Sequence, residues 1–558
     1  MYTSKRNVLE TVALLKAHGI NRIVLSPGSR NAPLIQCFIS DPFFDCLSII
    51  DERSSAYLAL GLSLESGTPV VLCCTSGSAL LNYAPALAEA YYQQVPLIVL
   101  TADRSQAWIN QMDGQTLPQP GIFGPLVKLS VQLPEVMDET SLWQCNRLVN
   151  EAILTCQRSG KGPVHLNIPL SEPLFDFSVP TLPDVRLIRD NHPTEFTLSD
   201  ELKERWQQAG KRLILVGQSP SDPALSKVLD NLTSRCDCVI LGEYLSNLDS
   251  KSLIGNFDNI LNLADAQTSD SLRPDLLVTI GGHIVSKRIK QWLRAQSNLE
   301  HWDVSTTDRL TDTYQHLSQR ITASPISVLS ALPKDKPTKT TETYAALWNR
   351  LSTTLPAPQP ETLPFSDLSV TGSLLNLLPA GASLLVGNSS PIRNVQYYPK
   401  PTLKAVYGNR GTNGIEGSLS LATGLSVHNP TPLYVLLGDL SFIHDLSGLW
   451  TAQQSNNLRI FLINNGGGGI FHHINGLDLS PNLQSYVAAN HQQQLDAWIK
   501  AAGFDYLKAG NHEELSAALA AFTDPNRTTS TVLEVFTNPD ANKHAVTHYL
   551  STLKNALS

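Results

Sequence analysis

Residues 1–182 of this 558-residue chain carry short apolar runs separated by longer amphipathic stretches. The runs are Arg22-Ile23-Val24-Leu25, Leu47-Ser48-Ile49-Ile50, Val70-Val71-Leu72-Cys73-Cys74, Pro96-Leu97-Ile98-Val99-Leu100 and Val164-His165-Leu166-Asn167-Ile168-Pro169. Each is too short for a stable helix and reads as a buried strand. The first ends in Ser26-Pro27-Gly28-Ser29-Arg30 and the second in Asp51-Glu52-Arg53. The third ends in Thr75-Ser76-Gly77-Ser78 and the fourth in Thr101-Ala102-Asp103-Arg104. Strands alternating with helices predict a parallel sheet covered on both faces.

The Pro-rich, aperiodic stretch Ser171–Ser199 predicts a linker. A second α/β unit follows, with strands at Arg212–Val216, Cys238–Leu241 and Asp275–Ile280. The last of these ends at Gly281-Gly282, shortly before Lys287-Arg288. Residues 333–366, rich in Pro, Thr and Lys, predict another linker around one helix, and a third α/β unit starts near 367. The domains implied are 1–182, 200–335 and 350–558, the last taken with the linker's helix. Three is also what the length predicts, since domains usually run to about 100–200 residues. The fold class is α/β, with three doubly wound parallel-sheet domains. The first and third look like two versions of one architecture.

The third unit holds the most informative turns. The apolar run Leu433–Leu437 reads as a strand, followed by a loop at Gly438-Asp439-Leu440-Ser441. A helix-like segment from Leu446 to Gln454 comes next, then a second strand, Arg459–Ile463, ending in Asn464-Asn465-Gly466-Gly467. This arrangement places Asp439 and Asn465 at the carboxyl ends of two parallel strands, where open α/β sheets bind ligands. A carboxylate, an amide oxygen and the carbonyl of Gly467 are hard oxygen donors. They suit Mg²⁺, which shares its coordination with substrate phosphates, and Mn²⁺ as a substitute. The glycines let backbone approach those phosphates closely. The pattern resembles the diphosphate-anchoring motif of thiamine diphosphate enzymes: Gly-Asp, about two dozen residues, then Asn-Asn. The alternative is a Rossmann-like unit with a polar turn.

Charge and composition narrow the partners. Hydrophobic residues make up 42% and charged residues 16%, the balance of a packed globular chain. The net charge of −8 gives no global attraction to nucleic acid or anionic membranes, so neither is an expected partner. No apolar run approaches the roughly eighteen residues of a membrane span. Lys5 and Arg6 are followed by Glu10 and Lys16, which fits a first amphipathic helix and not a signal peptide. The eight cysteines form no Cys-x-x-Cys, as expected for reduced thiols in a cytoplasmic protein.

Glu52 follows a strand and opens the helix-like segment Ser54–Leu64. On its own it reads as a first-turn carboxylate favoured by the helix dipole. Further on, Thr75-Ser76-Gly77-Ser78-Ala79 with Asn82, then Glu89-Ala90 and Val95-Pro96, resemble the pyrimidine-binding domain of thiamine diphosphate enzymes. Arg30, Arg104, Arg393 and Arg410 all fall in loops after strand-like segments of an acidic chain. Singly, each is most simply a solvated surface group. Jointly they argue for a pocket that binds carboxylates, which the planar guanidinium fork grips bidentately.

A specific resemblance follows from several motifs in order. They are Ser26-Pro27-Gly28-Ser29-Arg30, Asp51-Glu52-Arg53, Thr101-Ala102-Asp103-Arg104 and Gln119-Pro120-Gly121-Ile122-Phe123. Gly387-Asn388-Ser389, Asn409-Arg410-Gly411, Gly414-Ile415-Glu416-Gly417 and Gly438-Asp439-Leu440-Ser441 complete the set. Together they resemble the 2-succinyl-5-enolpyruvyl-6-hydroxy-3-cyclohexene-1-carboxylate synthase family of menaquinone biosynthesis, over essentially the whole chain. The resemblance implies pyrimidine-binding, central Rossmann-like and diphosphate-binding domains. It implies decarboxylation of 2-oxoglutarate on thiamine diphosphate and conjugate (Stetter-like) addition of the succinyl carbanion equivalent to isochorismate. It also implies a homodimer or homotetramer with active sites at subunit interfaces.

Carried over by position, the resemblance makes Glu52 the proton-relay acid on the cofactor's aminopyrimidine, a role that needs a desolvated carboxyl. Asp439, Asn465 and the Gly467 carbonyl would hold the metal. Ile415 would bend the cofactor, although its pattern alone also fits a core isoleucine. Ser76, Gly77, Asn388, Ser389, Gly438, Leu440 and Ser441 would line the cofactor, with Asn388 and Ser389 near its diphosphate. Ser389, Arg393 and Arg410 would hold the 2-oxoglutarate carboxylates and act in the chemistry. Ser29, Arg30, Arg104, Gln115, Lys287 and Arg288 would hold isochorismate. Ile470 and Phe471 would form an apolar wall, with Ile470 also against the cofactor.

Gly114 and Gly466 stand where some members of the family have Asn, which predicts tuned contacts and retained function. His472 and His473 are expected to be an ordinary exposed pair. Nothing in the middle unit demands a flavin, and no FAD is expected. Two rivals remain. Another 2-oxoacid decarboxylase or an acetolactate-type synthase would not require so many cationic residues. A ligand sensor that kept only the fold would be expected to lack Glu52 or Asp439.

Overall fold

A computed structural model of the chain describes all residues except 159, 191–195, 335–342, 453–454, 474–480 and 558, and omits the side chains of 472–473, 481, 484 and 555–557. The chain divides into two compact units. One comprises Met1–Pro193, Asn409–Pro430 and Phe442–Asn457; the other comprises Thr194–Gly408, Thr431–Ser441 and Leu458–Ser558.

The first unit is built on a six-stranded sheet of β1 (Arg22–Leu25), β2 (Asp45–Ser48), β3 (Val70–Cys74), β4 (Leu97–Asp103), β5 (Leu129–Gln132) and β6 (Val164–Pro169). Its order is β2-β1-β3-β4-β6-β5. All its pairs are parallel. Strands β3, β4 and β6 are buried along their whole length, as central parallel strands must be. Strand β2 runs Asp45–Ser48 and not the expected Leu47–Ile50. At a sheet edge, pairing with Arg22–Leu25 sets the strand's limits, and the apolar Ile50 is left exposed. Strand β5 is not expected from the sequence, because its half-exposed residues give no apolar run. Part of the expected linker is packed: Leu174 is buried in this core, with Val179, Leu182 and Val185 against it.

The helices Glu52–Ser66 and Ser418–Ser426 pack together in this unit. Gly61 and Gly424 permit their close crossing. A Cβ on Gly424 would meet Leu58 O at 2.0 Å, and one on Gly61 would meet Leu421 O at 2.3 Å.

The second unit contains two sheets. One consists of β7 (Arg212–Val216), β8 (Cys238–Gly242), β9 (Leu253–Ile254), β10 (Leu276–Ile280), β11 (Glu300–Ser305) and β12 (Leu317–Thr322). Its order, β12-β11-β10-β7-β8-β9, is that of a Rossmann sheet. The other consists of β13 (Ala382–Val386), β14 (Leu403–Tyr407), β15 (Leu433–Gly438), β16 (Leu458–Asn464), β17 (Asp505–Ala509) and β18 (Thr531–Phe536). Its order is β14-β13-β15-β16-β18-β17, which repeats the topology of the first sheet strand for strand.

One local expectation is corrected near the key turn. Gly438-Asp439-Leu440-Ser441 is not a loop: a helix, Asp439–His444, starts directly at the strand end. A second short helix spans Ser447–Thr451, less than the expected Leu446–Gln454, and residues 453–454 lie outside the described residues. All eight cysteines are free, and all but Cys46 are buried.

Candidate active site

In the sheet of β13–β18 the chain steps one way from β13 to β14 and the other way from β15 to β16. The carboxyl ends of β13 and β15 therefore flank a topological switch point, the usual crevice for ligands in open α/β sheets. Asn388 and Ser389 follow β13, and Gly438 and Asp439 end β15. Strand β15 pairs in parallel with β16, which brings Asn464 and Asn465 to the same edge. A Cβ on Gly438 would meet no heavy atom within 4 Å, so there is open space above this strand end.

Asp439 is 2% exposed. Its Oδ1 accepts from Leu440 N at 2.7 Å and its Oδ2 from Gly467 N at 2.9 Å. Burial raises its pKa, opposed by these backbone donors and by His491. His491 Nε2 stands 3.2 Å from Asp439 Oδ2, without hydrogen-bond geometry. Asn465 donates through Nδ2 to Asp367 Oδ2 at 2.9 Å, while its buried Oδ1 has no hydrogen-bond partner. Gly467, at φ 153°, lies against Ala488 O, which a Cβ would meet at 2.8 Å.

These donors fit a hard divalent cation. Among the described residues, no group of three or more His, Cys, Asp or Glu could hold a metal. One carboxylate and one unsatisfied amide oxygen make an incomplete oxygen set, of the kind that Mg²⁺ completes with phosphate and water.

Ser389 adopts φ 73° and ψ −127°, a strained conformation for a residue with a side chain. Arg393 is not in a loop: it belongs to the short helix Ser390–Asn394 and donates through Nη1 to Ser389 O at 2.5 Å. Burial lowers its pKa. Leu440, Ile470 and Phe471 are half-buried, and Ser441 is buried. The side chains of His472 and His473 lie outside the described residues. Lys287 is exposed at the start of the helix Lys287–Arg294, and Arg288 pairs with Asp258.

The first unit holds the other candidates. The sheet of β1–β6 has the same switch point, between β1 and β3. Ser29 and Arg30 follow β1, and Ser76 and Gly77 follow β3. Glu52 is the first residue of the helix Glu52–Ser66, after the N-cap Asp51, whose Oδ1 accepts from Ser54 N at 3.1 Å. Glu52 is half-buried, and burial raises its pKa. Gly77 N donates to Gln119 Oε1 at 2.9 Å, and a Cβ on Gly77 would meet Gln115 Cα at 3.2 Å. Arg30 is buried; it donates to Leu170 O at 2.9 Å and pairs with Glu172 at 3.1 Å. Arg104 pairs with Asp113 at 3.0 Å. With Arg288, three of the expected cations thus already face carboxylates. Ser29 and Gln115 are exposed, Arg410 is buried and Ile415 is half-buried.

Several supporting residues are given no role of their own by the sequence. Glu89, fully buried, accepts from Gly411 N and Thr412 N, each at 2.7 Å, and so clamps the loop that carries Arg410. In the sequence it stands only as the Glu89-Ala90 step of the pyrimidine-domain pattern, as the one carboxylate of the helix Ala84–Gln93. Asp445 accepts from Ser420 N at 2.8 Å and Ser420 Oγ at 3.0 Å, and burial pushes its pKa up to about 6. His491 and Asp367 are distant in sequence from the residues they touch and left no local signal.

Comparison with known proteins gives a consistent result. Residues 10–122 match the thiamine pyrophosphate enzyme N-terminal TPP binding domain. Residues 186–386 match the middle domain, and 386–535 the C-terminal TPP binding domain. The 2-succinyl-5-enolpyruvyl-6-hydroxy-3-cyclohexene-1-carboxylate synthase of Bacteroides thetaiotaomicron is 43% identical, covering 99% of this chain and 100% of that protein. The enzyme of that name from Desulfotalea psychrophila is 35% identical, covering 96% and 99%. Benzoylformate decarboxylase from Polynucleobacter necessarius shares the fold, with a TM-score of 0.74 at 19% identity over 97% of this chain and 99% of that one.

Proposed function

Because the chain belongs to the 2-succinyl-5-enolpyruvyl-6-hydroxy-3-cyclohexene-1-carboxylate synthase family of thiamine diphosphate enzymes, we propose that it joins 2-oxoglutarate to isochorismate with loss of carbon dioxide. The product is the compound of the family name, on the route to menaquinone. The observation that carries this reading is the oxygen set at the switch point: buried Asp439 beside Asn465, whose Oδ1 is unsatisfied.

Thiamine diphosphate, when bound, supplies a nucleophilic thiazolium carbon and an electron sink for decarboxylation. The chain's own residues bind, orient and exchange protons. Asp439, Asn465 and the Gly467 carbonyl hold Mg²⁺, with Mn²⁺ as a substitute. The open space over Gly438 takes the diphosphate, and Asn388, Leu440 and Ser441 contact the cofactor. Ser76, Gly77 and Ile470 would contact the cofactor, and Ile415 would pack against it. Glu52 holds and releases a proton at its carboxyl, and burial makes that carboxyl more basic than usual.

Substrate carboxylates are taken by cations. Ser389, Arg393 and Arg410 hold 2-oxoglutarate. Ser29, Arg30, Arg104, Gln115, Lys287 and Arg288 hold isochorismate, whose carboxylates displace Glu172 and Asp113 from their arginines. Phe471 supplies an apolar wall. The enzyme works in the cytoplasm as a homodimer or homotetramer with active sites at subunit interfaces, and needs no flavin.

The test is a labelling experiment. With 2-oxoglutarate labelled at C1, purified protein should release labelled carbon dioxide and form one coupled product with the combined mass less carbon dioxide. Label released with no coupled product would leave a decarboxylase and reject isochorismate as acceptor.

A further inference from the structure

Asn464 and Asn465 stand side by side, but their amides are satisfied differently. Asn464 Nδ2 donates to the buried Glu534 at 2.6 Å, and its Oδ1 accepts from Gly466 N at 3.1 Å. Both ends of that amide are used. Asn465 uses only Nδ2, at 2.9 Å from Asp367 Oδ2, and its buried Oδ1 has no partner. Of the two neighbours, only Asn465 has its oxygen free for a cation.

An amide can turn over with almost no change of shape, exchanging its oxygen and nitrogen. Turned over, Asn465 would present N–H groups to a cation, which repel it. Something must decide the orientation, and a carboxylate does so because it only accepts hydrogen bonds. Asp367 is itself fixed. It is 4% exposed, its Oδ1 accepts from Thr537 Oγ1 at 2.6 Å, and its backbone N–H donates to Asn542 Oδ1 at 2.7 Å. It also begins the helix Asp367–Leu377, which anchors its backbone.

We propose that Asp367 is a positioning residue for the metal centre: it binds the Asn465 NH₂ and so presents Asn465 Oδ1 to the divalent cation. The proposal rests on the reading of Asn465 as a metal ligand. Outer partners of this kind commonly change metal affinity by about 10–100-fold when removed.

The test is isothermal titration of Mg²⁺ into full-length protein saturated with thiamine diphosphate, for wild type, Asp367→Ala, Asn465→Ala and the double variant. Circular dichroism and thermal melting report the fold. Asp367→Ala should weaken Mg²⁺ binding about 10–100-fold. The double variant should bind no more weakly than Asn465→Ala, because the effect passes through that side chain. Asp367→Asn should bind Mg²⁺ between the wild type and the alanine variant, since its oxygen can still accept from Asn465 but its NH₂ can also face a turned-over amide. Should the alanine variant not fold, Asp367→Ser replaces it with the same expected loss, because its hydroxyl is too short to reach Asn465. A folded variant that binds Mg²⁺ within twofold of wild type overturns the proposal, as do losses that multiply in the double variant. Wild-type protein that binds no Mg²⁺ overturns the metal assignment itself, and the proposal with it.

Discussion

Asp439 Oδ2 accepts the backbone N–H of Gly467 at 2.9 Å, which ties the end of β15 to the turn after β16. The contact joins the two halves of a motif that are well separated in sequence, and it holds a buried carboxylate against its desolvation cost. Asp439→Asn keeps an acceptor for Gly467 but removes the charge. It should retain the fold, with a melting temperature within a few degrees of wild type. Its affinity for thiamine diphosphate with Mg²⁺ should fall by about 100-fold, a loss of ~3 kcal/mol. Equilibrium dialysis measures this, and unchanged retention would remove Asp439 from the metal centre.

Glu52 is assigned a proton-transfer role, worth about 10²–10⁴-fold in rate. Glu52→Gln has nearly the same shape but cannot exchange a proton at that atom. Turnover should fall by that range while melting temperature and cofactor affinity change little. Wild-type turnover in the variant would reject the role.

Asp445 gives a pH signature of stability. Burial raises its pKa from 3.8 to about 6, so the folded state holds its proton over a range where the unfolded chain has lost it. Its favourable contribution is therefore complete below about pH 4 and is lost as pH rises to about 6. At about 1.36 kcal/mol per pH unit, the effect is bounded at ~3 kcal/mol. Asp445→Asn should flatten this part of the profile, read as urea midpoints at pH 4.5 and 7. Parallel profiles for variant and wild type would contradict the assignment.

Arg393 lies one helical turn from Ser389, whose carbonyl it holds. Arg393→Ala should raise the KM for 2-oxoglutarate by about 10–100-fold, the value of a charge-assisted contact of 1.5–3 kcal/mol. The fold should persist, because the helix is short and its core residue Ile392 remains buried. An unchanged KM in initial-rate kinetics would take Arg393 out of the substrate pocket.

Several strands were legible because they are largely buried: β3, β6, β7 and β15 lie within a residue or so of their apolar runs, whereas β13, which places Asn388 and Ser389, went unread although it is buried throughout. Edge strands were not legible. β5, β9 and β12 are short or half-polar, and pairing defines them more than hydrophobicity does. The helix Asp439–His444 was missed because a Gly-Asp-Leu-Ser run reads equally well as a turn. Asp439 and Asn465 were legible as strand-end residues. Their partners were not: Asp367 meets Asn465 across 98 residues of sequence, and His491 approaches from a separate loop. Only the folded sheet brings them together, and local pattern carries no record of that. Arg30 and Arg104 were legible as cations but not as ion-paired ones, since their carboxylates lie in irregular segments.

The most direct measurement follows isochorismate loss by absorbance, with 2-oxoglutarate, thiamine diphosphate and Mg²⁺ present and each omitted in turn. Loss should require all three, and should nearly vanish in Asp439→Asn at cofactor levels that saturate the wild type. Isochorismate consumed equally well without 2-oxoglutarate or without the cofactor would contradict the account.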